Sequence, residues 1–329
     1  MVLFWVALLA ISIMIYLLLD GFDLGVGMLF GLTRSEADRD VMQNTIAPVW
    51  DGNETWLVVA GVILWGAFPV VYATLLSAFY LPVIIMLLGL ILRGVAFEFR
   101  HRAARRVRWI WDLSFVGGSL CASFMQGVTV GALVEGLKFT NGLYAGGAFG
   151  WLSPFSVLCG VGLCLGYALL GACWLVQKCH SHLRERARRQ IPVLAIAVLV
   201  FLVAVFIHAL IENLPIMHRW LDRPYLFVFP ATGAAAAMVL AGSILHRNDR
   251  WPFYAVAVIF GSAFGTLALS FWPYMIPFAI TIDEAAAPHA SLAFMFWGEG
   301  IFVFPLMLIY VAVGYRVFRG KVGGMPGSH

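Results

Sequence analysis

The sequence predicts an all-α membrane protein that crosses the bilayer several times. Of its 329 residues, 62% are hydrophobic and only 12% are charged, whereas charged residues make up roughly 25% of a typical soluble domain. The hydrophobic residues are gathered into runs of about 20 or more, the length that a helix needs to cross roughly 30 Å of hydrocarbon. This composition excludes a soluble enzyme, and we expect lipid rather than nucleic acid around the chain.

Nine hydrophobic runs predict nine transmembrane helices in a single domain over residues 1–329, with a short cytoplasmic tail at residues 318–329. An odd number of spans places the two termini on opposite sides of the membrane. The runs cover residues 2–30, 48–70, 74–97, 111–134, 151–177, 190–211, 224–245, 251–272 and 290–316.

The basic residues predict the orientation of these helices. Seventeen of the 21 Lys and Arg residues fall on one side of the predicted topology. They occupy the loop segments 34–39, 100–108, 178–189 and 247–250 and the C-terminal segment 316–321. Because an excess of Lys and Arg marks the cytoplasmic side, we expect a periplasmic N-terminus and a cytoplasmic C-terminus. The arginines of residues 100–108 are expected to face lipid headgroups.

Two carboxylates interrupt the first hydrophobic run. Asp20 and Asp23 lie three residues apart, so they share one face of a helix. Gly21 and Gly25 form a GxxxG pattern that allows another helix to approach closely. An ionised Asp at mid-bilayer costs roughly 2.5–3.5 kcal/mol. Both carboxylates should therefore face protein or water, and this setting predicts a functional site.

A second acidic pair opens the second predicted helix. Asp51 and Glu54 follow Pro48, and the helix dipole favours anions at such an N-terminus by roughly 0.3–1 kcal/mol. Capping alone could explain this pair, whereas it cannot explain Asp20 and Asp23 near a helix C-terminus. A proton or cation pathway would explain those two, and a structural hydrogen bond to the next helix is the alternative.

Three more charged residues are predicted near the same cytoplasmic end. Glu98 closes the third span and Asp112 opens the fourth. Arg93 lies about one turn inside the third span, where it either extends toward the headgroups or pairs with an acid of the first span. The acidic residues are therefore expected to gather at one mouth of the protein.

The histidines and cysteines indicate no metal site. Of eight His residues, only His208 lies within a predicted span, so two facing membrane histidines for a haem are not available. The five Cys residues have neither a CxxC motif nor the spacing of a zinc site. We expect this chain to bind neither haem nor metal.

Several of these motifs together resemble subunit II of the cytochrome bd family of quinol oxidases. The similarity is densest in residues 20–27 (DGFDLGVG), 46–57 (IAPVWDGNETWL) and 93–100 (RGVAFEFR), and it continues in residues 126–129 (QGVT) and 281–292. It covers essentially the whole chain. The short loops resemble those of the cyanide-insensitive branch of the family.

The resemblance implies a fold, a partner and cofactors. Nine spans would form a four-helix bundle over about residues 1–134, and a second bundle with a peripheral helix over about residues 151–317. This chain would be the haem-free subunit II of an electrogenic quinol:oxygen oxidoreductase in the bacterial inner membrane. Subunit I would carry haem b, haem d and the quinol site. Some members add a small single-span subunit or hold a structural quinone in subunit II.

The resemblance also implies a cytoplasmic proton path for the reduction of dioxygen to water. In this sequence the path residues would be Asp51, Asp23 and Asp20. The residues expected to support them are Glu54, Glu98, Arg93, Asn53 and Trp50.

Two other functions remain open at this point. Membrane carboxylates beside glycines also suit a proton- or cation-coupled secondary transporter. An inverted repeat of such a transporter would show matching breaks in both halves, whereas the acid pattern here is confined to the first third of the chain. A purely structural subunit, whose polar residues only hold helices together, is the third possibility.

Overall fold

The computed structural model describes residues 1–140, 143–211 and 224–322, so the predicted tail is described only as far as residue 322. Helices dominate this part of the chain. They are α1 (Val2–Gly31), α2 (Glu36–Ile46), α3 (Trp50–Ala67), α4 (Pro69–Arg100), α5 (Arg108–Glu135), α6 (Pro154–Lys178), α7 (Ser181–Ile211), α8 (Val228–Leu245), α9 (Trp251–Phe271), α10 (Ile282–Ala285), α11 (His289–Met295) and α12 (Val303–Val317).

Eight helical segments in the described part of the chain are long and apolar enough to cross a membrane. This finding agrees with an all-α polytopic membrane protein. The predicted second span, residues 48–70, corresponds to α3, which is not among the eight. Its 18 residues begin with the polar stretch that contains Asp51, Asn53 and Glu54, and these side chains lower the mean hydropathy of the helix.

Two long helices extend beyond their predicted bounds. α7 begins at Ser181 rather than near residue 190, because its charged first turns continue the helix beyond the hydrophobic run. α4 begins at Pro69 and has non-helical geometry at Phe79 (φ −120°, ψ 22°). Pro82 explains this irregularity, since proline removes one helical hydrogen bond and its ring clashes with the preceding turn.

Short irregular elements complete the fold. One antiparallel hairpin pairs β1 (Phe139–Thr140) with β2 (Leu143–Tyr144), and a second pairs β3 (Tyr274–Ile276) with β4 (Ile280–Thr281). These strands have two or three residues each and follow the ends of α5 and α9. They are too short to change the all-α class of the fold. A π-helical segment, Phe296–Gly300, separates α11 from α12 within the predicted ninth span.

The first helix is central to the packing, because α1 contacts α3, α5 and α6. A Cβ atom added to Gly25 would lie 1.8 Å from the backbone oxygen of Tyr167 in α6. A Cβ atom added to Gly171 would lie 2.6 Å from the backbone carbon of Gly25. The two helices therefore meet backbone to backbone, which confirms the close approach predicted from the GxxxG pattern.

The basic segments, predicted to share one side of the membrane, meet at one end of the molecule. Arg39 of α2 donates a hydrogen bond to Asp112 at the start of α5 over 2.7 Å. Lys178, the last residue of α6, donates to the backbone carbonyl oxygen of Phe318 over 2.6 Å. These contacts hold the loops and the C-terminal segment together at the end where α1 finishes.

Candidate functional site

Asp20, the first acid of the α1 motif, forms an ion pair with Arg93 of α4. Nη1 of Arg93 donates a hydrogen bond to Oδ1 of Asp20 over 2.7 Å. The exposed fraction is 0% for the Asp20 side chain and 1% for that of Arg93. Arg93 was expected either to extend toward the headgroups or to pair with an acid of the first span. The structure shows the pairing.

Asp23 lies about one turn further along α1 and is held by Asn53 of α3. Nδ2 of Asn53 donates to Oδ2 of Asp23 over 2.7 Å and to the carbonyl oxygen of Leu19 over 3.3 Å. The hydroxyl of Tyr315 in α12 donates to Oδ1 of Asn53 over 2.9 Å, which fixes the orientation of the amide. Arg93 approaches Asp23 only to 3.9 Å. Four helices thus contribute to one buried cluster.

The cluster lies inside the helix bundle, toward the end of α1. Asp23 precedes the end of α1 at Gly31 by eight residues, roughly 12 Å along the helix axis. Asp20 lies roughly 16 Å before the same end. Both acids therefore lie in the half of α1 that ends at Gly31, and their side chains are fully buried.

The charges in this cluster are unequal, since it contains two carboxyl groups and one guanidinium. The close ion pair lets Arg93 balance Asp20, and Asp23 is left without a cation at hydrogen-bonding distance among the described residues. Oδ1 of Asp23 is buried and has no hydrogen-bond partner in that part of the chain. A proton on Asp23 would make the cluster neutral, whereas its loss would leave a net negative charge in an apolar interior. Asp23 is therefore the carboxyl group of this cluster that no close ion pair balances.

A second group of buried hydrogen bonds lies one turn away along α1. Nε2 of Gln126 in α5 donates to the hydroxyl of Tyr16 over 2.7 Å. The hydroxyl of Tyr167 in α6 donates to Oε1 of Gln126 over 2.8 Å. Tyr16 precedes Asp20 by four residues and lies on the same face of α1. These bonds fix α1, α5 and α6 relative to one another beside the ion cluster.

Of the two predicted acids of α3, Asp51 lies at the surface, whereas Glu54 lies close enough to the buried cluster to interact electrostatically with Arg93 and Asp20. Asp51 is exposed and Glu54 is half-buried, whereas Asn53 between them belongs to the buried cluster. Trp50 packs against Phe97 of α4, with ring centroids 5.2 Å apart. Because a carboxylate is costly against lipid, the surface around Asp51 must face water or another protein chain.

Two other predicted acids do not reach the buried cluster. Glu98 is exposed near the end of α4. Asp112 accepts hydrogen bonds from Arg39 and Arg100. The structure therefore brings together Asp20, Asp23, Arg93 and Asn53, and it separates Glu98 and Asp112 from them.

Arg100 is the centre of a separate ion cluster at the basic end of the molecule. Its side chain is fully buried and pairs with Glu36 over 2.9 Å and with Asp40, both from α2. The prediction that the arginines of residues 100–108 face lipid headgroups is therefore wrong for Arg100, because α2 covers it.

Some members of these networks were not predicted. Tyr16 could have been found, because it lies one helical turn before Asp20 and shares its face. Tyr315 had no comparable signal, because it comes from the other end of the chain, 262 positions after Asn53. Two of the three α2 acids, Glu36 and Asp40, belong to the Arg100 cluster, but they lie in a polar segment between predicted spans that suggested only a loop.

The titratable side chains that the structure describes were compared with the expectation that this chain holds no metal site. No group of three or more His, Cys, Asp or Glu side chains that could hold a metal ion occurs among them. The ring of His208 stacks on that of Phe155, with centroids 4.7 Å apart. This contact gives the His208 ring a packing role between α6 and α7.

The apolar helices define a multi-pass membrane protein, and the ion cluster shows that it buries charged side chains among its helices. The model of one protein family, described as cytochrome bd terminal oxidase subunit II, matches residues 1–318. The chain therefore belongs to the cytochrome bd terminal oxidase subunit II family, as its motifs predicted.

Individual relatives agree with this assignment over nearly their full lengths. Cytochrome bd-I ubiquinol oxidase subunit 2 of Escherichia coli K12 is 29% identical, over 97% of this chain and 94% of the relative. Cytochrome bd ubiquinol oxidase subunit 2 of Bacillus subtilis is 29% identical, over 97% and 96%. The solved structure of the bd oxidase from Geobacillus thermodenitrificans aligns with a TM-score of 0.74 at 16% identity, over 97% of this chain and 95% of that chain. This last comparison shows a shared fold, and the named relatives are subunits of an oxidoreductase rather than transporters.

Proposed function

We propose that this chain is subunit II of a bd-type quinol oxidase in the bacterial inner membrane. Its partner would be subunit I, which would hold haem b, haem d and the quinol site and supply the chemistry of dioxygen reduction. The assignment to the subunit II family and the subunit names of the relatives support this proposal. The chain itself would bind no haem, and it would have nine spans in two bundles with a periplasmic N-terminus.

Within this complex, we propose that the chain conducts protons from the cytoplasm toward the oxygen-reducing site. The observation that carries this proposal is the unequal charge of the buried cluster, in which Asp23 lacks the close cation that Asp20 has in Arg93. A carboxyl group of this kind can accept and release a proton while its neighbours stay in place. The surrounding hydrogen bonds from Asn53 would keep it oriented.

Asp51 would be the first carboxylate of the path. It is exposed at the start of α3, two residues before Asn53, which is hydrogen-bonded to Asp23. A proton taken up at Asp51 would need to pass along the N-terminal turn of α3 to reach Asp23, with Glu54 beside the route. Asp20 would act mainly through its ion pair with Arg93, which holds α1 and α4 at a fixed distance around Asp23.

The decisive experiment uses the complex co-purified with subunit I. We expect the double variant Asp51→Asn with Asp23→Asn to consume oxygen at about one tenth of the normal rate or less, in the range of lost proton transfer. Its visible haem spectrum should be unchanged, because each Asn preserves the shape of the side chain. The matched control is Asp283→Asn, which removes an exposed acid from the opposite end of the molecule and should leave the rate unchanged.

Two outcomes would contradict the proton path. Full oxygen consumption by an assembled double variant would favour the purely structural subunit. Loss of the haem bands together with the rate would assign Asp51 and Asp23 to assembly. If this chain is stable on its own but never recruits a haem protein, the assignment to an oxidase would be reopened.

A further inference from the structure

A cavity separate from the buried acids lies at the basic end of the molecule. It has a volume of about 570 Å³ and opens between the end of α1 and the first turns of α7. Leu29 and Leu32 form its wall on α1, and Arg186, Arg189 and Val193 are among its residues on α7. Its lining therefore changes from charged to apolar along the axis of α7.

The charged part of this cavity carries surplus positive charge. Arg186 has no carboxylate within 4.0 Å in the described part of the chain, and it donates a hydrogen bond to the carbonyl oxygen of Leu32. Arg189 lies 3.8 Å from Glu185, but that carboxylate also lies 3.2 Å from Arg188 and 3.9 Å from Arg247. Arg188 also pairs with Asp249, so Arg189 and Arg247 share Glu185 as their only acid within 4.0 Å in the described part of the chain. Arg186 donates to Leu32, and its other donors have no hydrogen-bond partner among the described residues.

The apolar part continues along the same face of α7. Positions 186, 189, 193, 196, 200 and 203 fall within an arc of about 100° when each residue turns the helix by about 100°. The exposed fractions of Val193, Ile196 and Val200 are 67%, 63% and 63%. From Val193 to Val203 this stripe extends roughly 15 Å at 1.5 Å per residue, which is about half of a 30 Å hydrocarbon layer.

We infer that this cavity and stripe bind one anionic phospholipid. The phosphodiester would lie between Arg186 and Arg189, since guanidinium groups bind phosphate oxygens through paired hydrogen bonds. One acyl chain would lie along Val193, Ile196 and Val200. The site depends on the chain spanning the membrane but not on proton conduction, so each proposal can fail alone.

A lipid explains the arrangement better than free phosphate does. Free phosphate would use the two arginines but would leave the apolar stripe without a role. A lipid without a phosphate would cover the stripe but would leave Arg186 without an anion, and a zwitterionic phospholipid would bring its own cation close to the arginines. Only a ligand with a phosphate and a hydrocarbon chain matches both parts of the surface.

The test uses the detergent-purified complex with subunit I, stripped of bound lipid. Native mass spectrometry would measure the binding of phosphatidylglycerol to the normal complex and to the double variant Arg186→Gln with Arg189→Gln. We expect affinity to fall about fivefold for each arginine and about 25-fold for the pair. The matched control replaces Arg105 and Arg106 by Gln, which removes equal charge from an exposed loop at the same end and should change affinity less than twofold.

A second measurement locates the acyl chain. Phosphatidylglycerol with a photoreactive group on its acyl chain should cross-link to the peptide that contains residues 193–203. Equal losses in the two double variants, or cross-links that avoid this peptide, would overturn the inference. Displacement of the lipid by millimolar inorganic phosphate would also overturn it, because the site would then recognise the anion alone.

Discussion

Arg93 of α4 and Asp20 of α1 are 73 positions apart in sequence and form a fully buried ion pair with a hydrogen bond of 2.7 Å. The pair joins two helices at a depth where water does not solvate either charge. Removing one partner from such a pair leaves the other charge buried and unpaired, which costs more than the pair contributes. The ion pair therefore makes the relative position of α1 and α4 sensitive to either residue.

Replacing Arg93 by Gln should destabilise the complex strongly. Asp20 would lose its only cation at hydrogen-bonding distance in the described part of the chain, and we expect a loss of about 3–5 kcal/mol. The measurement is the melting temperature of the co-purified complex, followed by size-exclusion chromatography after heating. Arg105→Gln, in an exposed loop, is the control. A melting temperature for Arg93→Gln equal to that of the control would show that the ion pair has no structural role.

The two acids of α1 should respond differently to the same substitution. Asp20→Asn should lower stability, because Arg93 would lose the carboxylate that it contacts at 2.7 Å. Asp23→Asn should keep stability within about 1 kcal/mol, because an amide oxygen can still accept the hydrogen bond from Asn53. The proton-path proposal predicts that Asp23→Asn nevertheless slows oxygen consumption.

The measurements for this pair are thermal stability and the rate of oxygen consumption per haem, taken on the same preparations. The expected result is a stable, slow Asp23→Asn complex and an unstable Asp20→Asn complex. The reverse order of stabilities would mean that Asp23, rather than Asp20, is the structural partner of Arg93.

Much of this fold follows from hydrophobic runs, because a helix in lipid must satisfy its own backbone hydrogen bonds. Helix α2 could not be found in this way. Seven of its eleven residues, Glu36–Ile46, are polar, and the helix begins at an N-cap in which Ser35 accepts a hydrogen bond from the backbone N–H of Asp38. It also depends on tertiary ion pairs such as that between Asp40 and Arg100. Such ion pairs cannot be predicted from local sequence, because their partners come from helices that are distant in the chain.

In the candidate site, too, the sequence identified some features and could not identify others. Asp20 and Asp23 could be identified because charge inside an apolar run is costly wherever it occurs. Their different partners could not be identified, because those depend on how α3 and α4 are rotated against α1. Asn53 and Arg93 were expected near the acids, but no local pattern indicated that Arg93 would contact Asp20 closely and Asp23 only at 3.9 Å.

Replacing Gly25 by Ala should separate α1 from α6. The added Cβ atom would lie 1.8 Å from the backbone oxygen of Tyr167, and backbone atoms cannot move aside as a flexible side chain can. We expect a loss of at least about 1–3 kcal/mol, the usual range for overpacking, and a lower yield of assembled complex. Gly61→Ala in α3 is the matched control, because nothing lies within 4 Å of its added Cβ atom. Similar yields and melting temperatures for both variants would disprove the backbone contact.

Replacing Arg100 by Gln tests whether α2 is held down by its ion pairs. Arg100 is fully buried, and its partners Glu36 and Asp40 retain exposed fractions of 43% and 40%. Water can stabilise these two acids after the substitution, so we expect a loss of about 2–3 kcal/mol rather than the full 3–5 kcal/mol of a completely buried pair. Thermal denaturation of the complex measures this loss of stability. Arg102→Gln, which replaces an exposed neighbour, is the control.

A second substitution separates charge balance from packing at Arg100. Three arginines, at positions 39, 100 and 108, meet three acids, at positions 36, 40 and 112, in this cluster. Arg100→Gln leaves one acid in excess, so adding Asp40→Asn should recover part of the lost stability. The alternative result is additivity, in which Asp40→Asn changes stability by the same amount in the normal protein and in Arg100→Gln. Additivity would show that Arg100 and Asp40 are not energetically coupled. Arg100 would then hold α2 through packing and through Asp112 rather than through Asp40.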